Sequence, residues 1–257
     1  MARIFFASDF HLDPGHRNNF EREERVCAWL DMVKESADEL FLVGDLFDFW
    51  HDYRHVVPKG SVRFLSKVQE IVRSGIPVTI FSGNHDIWLY GYFEDELGVS
   101  ITRKPIQIER DGKKFYIAHG DGLGPGDHGY KFIKKVFTNR LCQWIFRWIH
   151  PDIGVPMARF FSRKSRDAED GSEGGFLGED KEWLIQHSKD ELGKAHHDFF
   201  IYGHRHLPIY FPIDHSLYVN LGDWINHFTF GEFDGHHLEL KIFNQDGSVS
   251  PFTTRYQ

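Results

Sequence analysis

Five short clusters along the 257-residue chain hold the side chains best suited to chemistry: Asp9-Phe10-His11, Gly44-Asp45 with Asp48, Gly83-Asn84-His85-Asp86, His119-Gly120-Asp121 and Gly203-His204-Arg205-His206. Between them they supply Asp9, His11, Asp45, Asn84, His119, His204 and His206, a mixed oxygen and nitrogen donor set. Such donors suit Mn²⁺, Fe²⁺ or Zn²⁺ and are poor for Cu⁺ or an iron–sulfur cluster, which prefer thiolates. Asp45 has two carboxylate oxygens and can bridge two cations. Two cations about 3.5 to 4 Å apart can activate a water and clamp the oxygens of an in-line displacement at phosphorus. No single cluster carries this reading. A lone Gly-Asp is an ordinary strand-to-loop turn, and a lone Asn84 is a turn residue; it is the recurrence of the pattern that points to a site.

The elements that must position these groups are legible from periodicity. Residues 3–8, 40–43 and 78–81 are short apolar runs that read as strands, each delivering a cluster at its C-terminal edge. Phe41-Leu42-Val43 has the composition of a strand buried on both faces. In open α/β sheets that edge is where ligands bind. Residues 18–36 and 62–74 carry helical periodicity between the strands, so the first half predicts a largely parallel sheet. From residue 106 onward the chain turns strand-rich. Residues 106–109 and 114–117 flank Asp111-Gly112, a hairpin signal, and further strands are expected at 199–202, 217–220, 227–233 and 237–243.

The net charge of −8 excludes a general nucleic-acid binder, which needs a basic face. Cys27 and Cys142 lie far apart without metal-ligand spacing, which points to a reducing compartment. The N-terminus runs straight into a strand without a signal-peptide core, and no apolar run approaches the roughly 18 to 20 residues that span a bilayer. The expected location is cytoplasmic, at most attached to a membrane surface.

Taken in order, Asp-x-His, Gly-Asp-x-x-Asp, Gly-Asn-His-Asp, His-Gly-Asp and Gly-His-x-His resemble the calcineurin-like metallophosphoesterase superfamily, over most of the chain from Asp9 to His206. The resemblance implies an α/β fold, a four-layer αββα sandwich forming a single domain over residues 1–257. It implies two divalent ions, Mn²⁺ foremost: Asp9, His11, Asp45 and His206 on the first, and Asp45, Asn84, His119 and His204 on the second. His85 would be the catalytic histidine that contacts the phosphate, and Asp48 would orient it by a hydrogen bond.

Residues 125–175 do not fit the strand–helix alternation. They are helical in pattern, aromatic and basic, with Trp144, Phe146, Trp148, Phe160 and Phe161 among Lys131, Lys134, Lys135, Arg140 and Arg147. A loop is expected from residue 167. Two readings stand: an amphipathic insertion that meets lipid, or helices whose aromatics pack on the main domain. Within the superfamily the chain is similar to the UDP-2,3-diacylglucosamine pyrophosphatase family of lipid A biosynthesis. That resemblance makes 125–175 a lid over acyl chains, attached to the inner membrane. It also implies substrate contacts from Asn84, His85, Asp127, Ser165, Arg166 and His204, and products UMP and 2,3-diacylglucosamine 1-phosphate. One position departs from that family's pattern, which has arginine where this chain has His85. A soluble phosphoesterase of other substrate and a non-catalytic scaffold are the competing readings. The lid's composition counts against the first, and the complete donor set against the second.

Overall fold

The computed structural model describes residues 1–16, 18–124, 128–170 and 175–253. Each apolar run that precedes a cluster is a strand: β1 (Ile4–Ala7), β2 (Glu39–Leu42), β3 (Val78–Phe81) and, later, β6 (Lys113–Ala118) and β7 (Phe199–Tyr202). β1, β2, β3 and the short β4 (Ser100–Thr102) pair in parallel in that order. β1 also pairs antiparallel with β10 (Thr229–Phe233), which continues through β11 (Leu238–Phe243) to β12 (Val249–Pro251). A second sheet has β5 (Ile106–Arg110) at one edge, then β6, β7, β9 (Ser216–Leu221) and β8 (Pro208–Ile213). Asp111 and Gly112 join β5 to β6 with φ of 48° and 74°, the two left-handed residues that a tight type I′ hairpin turn requires.

Alternation along β1 explains the layering. Successive side chains of a strand point to opposite faces, so Ile4 and Phe6 meet Phe41, Phe115 and Val219 between the two sheets. Phe5 and Ala7 face the other way, into a core with Trp29 and Leu30 of α1 (Asn19–Lys34) and Phe64 and Val68 of α2 (Val62–Arg73). On the far side, Leu184 and Ile185 of α6 (Trp183–Leu192) cover Tyr116, Phe200 and Tyr202 of the second sheet. The result is the expected αββα order. β2 is buried on both faces: Phe41 and Val43 belong to the inter-sheet core, Leu42 to the helix side.

Between β6 and α6 lie three further helices, α3 (His128–Phe137), α4 (Arg140–Arg147) and α5 (Pro151–Asp170). α5 runs through Asp170, so the loop expected from residue 167 begins later than the composition implied. The strands β4, β8 and β12 were not expected. β8 begins with Pro208 and contains Pro212, and a strand with two prolines survives because it lies at the edge of its sheet.

The helix-side core is dominated by aromatic contacts. Trp29, fully buried, packs on Phe10, Trp224 and Phe230 at ring-centroid distances of 6.1, 5.1 and 5.6 Å. Trp29→Ala is expected to cost about 3–5 kcal/mol, since the cavity can collapse only partly. Urea unfolding of the variant would measure this, and a loss below about 1 kcal/mol would contradict such packing.

Candidate metal centre and active site

All five clusters meet at the C-terminal edges of β1, β2, β3, β6 and β7, where the two sheets face each other. The backbone there is unusual. Asp9, His11, Asp45, His204 and His206 all have positive φ, between 46° and 67°. Non-glycine residues adopt that region at a cost, and such residues concentrate at functional sites. Two glycines are required by close approach. A Cβ on Gly83 would run into the Asp45 carboxylate, and one on Gly203 would lie 2.6 Å from Asp9 Oδ2.

The side chains form two adjoining groups. In the first, His11 Nε2 lies 3.0 Å from His206 Nε2 and 3.8 Å from Asp9 Oδ1, and His206 Nε2 lies 3.5 Å from Asp9 Oδ1. In the second, His119 Nε2 lies 3.3 Å from Asp45 Oδ2 and 3.1 Å from Asn84 Oδ1, and His204 joins Asp45 and His119 to complete a ligand cluster. Asp45 stands between the groups. Its Oδ1 accepts from the His85 backbone N–H at 2.8 Å, while Oδ2 is also 3.9 Å from His11 Nε2. That Oδ2 is buried without a hydrogen-bond partner among the described residues, an oxygen that a cation would satisfy. The seven expected donors are therefore brought together, and their chemistry fits divalent metal ions.

Neighbouring groups fix which ring nitrogen is offered. His119 Nδ1 donates to the Val43 carbonyl at 2.8 Å, and His11 Nδ1 donates to Asp48 Oδ1 at 2.9 Å. In the neutral form of both rings Nε2 is then the nitrogen whose lone pair turns into the site, the usual tuning of a metal-ligating imidazole. The Asp48 carboxylate thus orients His11 and also lies in one cluster with the His85 ring, while His85 Nδ1 bonds Ser162 Oγ at 2.5 Å.

Electrostatics follow from two buried carboxylates among histidines. Burial pushes Asp9 upward, but hydrogen bonds from His11 and His206 hold it far below the usual carboxylate range. Asp45 is likewise held low: burial is outweighed by His119 and His85. Burial lowers His119, yet Asp45 more than offsets this and carries it to about 10. His11 also ends raised, with Asp48 and Asp9 overcoming burial. His204 goes the other way, to about 4, through burial and the nearby His119.

Several residues at the site were not singled out from sequence. Asp13, almost fully buried, pairs with Arg163 Nε at 2.8 Å and Arg159 Nε at 3.5 Å on α5. Asp121 pairs with Lys134 of α3 at 2.5 Å, which ties this lysine to the site. Ser162 contacts both His85 and the Asp48 carbonyl. The repeated i, i+3, i+4 spacing of Arg159, Ser162 and Arg163 was the one available signal. Asp127 lies outside the described residues; Ser165 and Arg166 lie within α5, their side chains outside the description.

A model of the calcineurin-like phosphoesterase family matches residues 2–208. The chain belongs to that family. It is a metal-dependent hydrolase. A relative from Porphyromonas gingivalis (strain ATCC BAA-308 / W83), named UDP-2,3-diacylglucosamine hydrolase, is 35% identical over 93% of this chain and 97% of its own length. A protein of the same name from Vibrio vulnificus (strain CMCP6) is 27% identical over the same shares. A solved phosphoesterase structure from E. coli aligns with 96% of each chain at 18% identity and a TM-score of 0.48.

Metal ligation needs deprotonated imidazole. In the metal-free phosphoesterase at pH 7, His119 holds a proton that binding must displace and His204 holds none, while the raised His11 shifts in the same direction as His119. Metal uptake should therefore release protons, and apparent affinity should fall about tenfold per pH unit for each proton displaced. Titration calorimetry in buffers of different ionisation enthalpy measures this; identical heats in all buffers would contradict it. Asp45→Asn removes one charge from the point where both groups converge. It is expected to abolish turnover and reduce bound metal while the thermal midpoint of the apo protein changes little, as metal analysis and melting curves would show.

Proposed function

We propose that the protein cleaves the pyrophosphate bond of a nucleotide-linked, diacylated sugar, in the manner of UDP-2,3-diacylglucosamine, to UMP and the acylated sugar 1-phosphate. One observation carries the reading. A cavity of about 570 Å³ has Asn84, His85 and Asp48 on one wall and Phe49, Trp88, Phe137, Phe146, Met157 and Phe161 on the others. A phosphate held at the polar wall would have apolar groups lying directly against the aromatic one. The two relatives named UDP-2,3-diacylglucosamine hydrolase support the same substrate. Helices α3–α5, within residues 125–175, act here as a lid on a single catalytic domain.

Two divalent ions, Mn²⁺ by preference, are held by Asp9, His11, Asp45 and His206 and by Asp45, Asn84, His119 and His204. When bound, they supply an activated water and neutralise charge on the phosphorus oxygens. His85 contacts the phosphate. Its Nε2 is buried without a hydrogen-bond partner among the described residues, and the ring stands beside His11 with centroids 4.8 Å apart. Burial above all depresses its pKa to about 4, so that the ring is neutral at pH 7. The aromatic wall excludes water and receives acyl chains, each buried CH₂ contributing about 0.8 kcal/mol.

The outer surface of the lid supports attachment to a membrane. Trp144, Trp148 and Phe160 are between 55% and 74% exposed, and Lys135, Arg140 and Arg147 of the same helical segment are exposed as well. Aromatic and basic residues on one surface suit an anionic lipid interface. No helix among the described residues is long and apolar enough to cross a membrane. This reading places the protein on the cytoplasmic face of the inner membrane.

The lid aromatics fall into two sets that can be tested separately. Replacing Trp144 and Trp148 by serine should release the protein from anionic vesicles and weaken hydrolysis of the acylated substrate by about tenfold or more. Hydrolysis of bis-p-nitrophenyl phosphate should stay within about twofold. Phe146 instead packs on Trp88, His51 and Phe49 at 4.7, 5.1 and 5.7 Å. Phe146→Ala should lower stability by about 2 kcal/mol and reduce both activities. Equal loss on both substrates in the double tryptophan variant would sink the lipid assignment and favour a soluble phosphoesterase.

A further inference from the structure

His85 reaches across the cavity to the helical cap. Its Nδ1 lies 2.5 Å from Ser162 Oγ on α5, and the same hydroxyl is hydrogen-bonded to the Asp48 backbone carbonyl. A hydroxyl has one proton, and a carbonyl can only accept. Ser162 therefore donates to the Asp48 carbonyl, and its remaining lone pair accepts from His85 Nδ1–H. This ordering leaves one neutral tautomer for His85, with the proton on Nδ1 and the lone pair on Nε2. That nitrogen has no hydrogen-bond partner among the described residues, although it is buried beside His11.

α5 is itself held in register. Arg159, Ser162 and Arg163 lie three and four residues apart, hence on one face of the helix. Both arginines close on the buried carboxylate of Asp13, which follows the Asp9-Phe10-His11 cluster in the chain. The serine between them is thus placed by two ion pairs on either side of it.

We propose that Ser162 is a positioning residue for His85, so that docking of the helical cap on the catalytic domain completes the active site. The proposal rests on the catalytic role given above to His85. A serine from the cap fixes the ring's rotation and tautomer, and a cap that lifts away takes this support with it. The Asp48 carboxylate bonds Nδ1 of His11, and Ser162 bonds Nδ1 of His85, so the cap supplies the contact to the Nδ1 side of the second ring.

The test compares Ser162→Ala, Ser162→Thr and His85→Ala in the Mn²⁺-loaded enzyme with bis-p-nitrophenyl phosphate, a substrate that needs neither acyl nor nucleotide contacts. Ser162→Ala should lower kcat about tenfold with KM, metal content and thermal midpoint unchanged, and Ser162→Thr, which keeps the hydroxyl, should recover most of it. His85→Ala should fall about a hundredfold. In parallel, long-range ¹H–¹⁵N spectra of Zn²⁺-loaded, histidine-labelled protein should show His85 protonated on Nδ1, and a mixture of tautomers in Ser162→Ala. Wild-type kcat and an unchanged tautomer in Ser162→Ala would overturn the proposal while leaving the role of His85 intact. A loss of kcat that tracks a lower melting point and is not recovered by threonine would show that Ser162 only packs. Unaltered turnover in His85→Ala would instead remove the catalytic reading of His85. The spectra decide the tautomer whatever the rate on the diester.

Discussion

Two buried carboxylates set the terms for this molecule. Asp9 and Asp45 lie at the ends of adjacent parallel strands, essentially without solvent exposure. Removing an isolated carboxylate from water costs far more than any single hydrogen bond returns. Both must be compensated by positive charge, by histidines that take up protons or by cations that replace those protons. The histidines of all the other clusters are bent toward them, at the cost of left-handed backbone in five non-glycine residues. Even the required glycines follow from this: Gly83 and Gly203 make room for the oxygens of Asp45 and Asp9. The sandwich can be read as the scaffold that holds these oxygens in place, with aromatic cores on either face of the first sheet resisting any relaxation.

That part of the structure was legible because its information is local. Each donor lies within four residues of the end of an apolar run, and strand direction alone places the runs' ends on one edge. Asp111-Gly112 and the two-faced burial of Phe41 to Val43 are equally local, and both are found as expected. The misses have physical causes too. β8 carries prolines that argue against a strand unless its edge position is known, and β4 and β12 span three residues each, too few to show a period. The partner of Asp48 could not be read at all. Asp48 is 37 residues from His11, and Ser162 is 77 from His85, and only folding decides which pairs meet. The same holds for Asp13 and its two arginines.

The helical segment shows why composition left two readings open. Aromatic density in 125–175 was equally consistent with core packing and with an outward lipid face, and the structure contains both. Phe146 is turned inward against Trp88 and Phe49, whereas Trp144, two residues earlier on the same helix, is turned out. An eight-residue amphipathic helix has two faces, and here each has its own apolar purpose. Burying Phe146 gives the cap adhesion to the catalytic domain. Leaving Trp144 and Trp148 exposed forgoes burial worth roughly 1.5–3 kcal/mol per large apolar side chain, an arrangement that folding alone does not reward.

The choice of histidine at position 85 fits this division of labour. A guanidinium presents five donors in a rigid fork and stays charged, so it can clamp a phosphate through several bonds at once. An imidazole offers one nitrogen to the phosphate and one to the protein. Its usefulness then depends on what the second nitrogen touches, since that contact decides both tautomer and direction. In this chain the second nitrogen meets a serine on α5, whose helix is tied down by Arg159 and Arg163 on Asp13 and whose neighbouring α3 is tied by Lys134 on Asp121. The cap is thus joined to the catalytic residues by charge and hydrogen bonding as well as by aromatic contact. An enzyme with arginine at this position could keep its phosphate clamp with the cap displaced. On the proposed reading, one with histidine holds its ring in a single orientation only with the cap seated, so closure over the apolar part of a substrate and readiness of the polar part would become a single event.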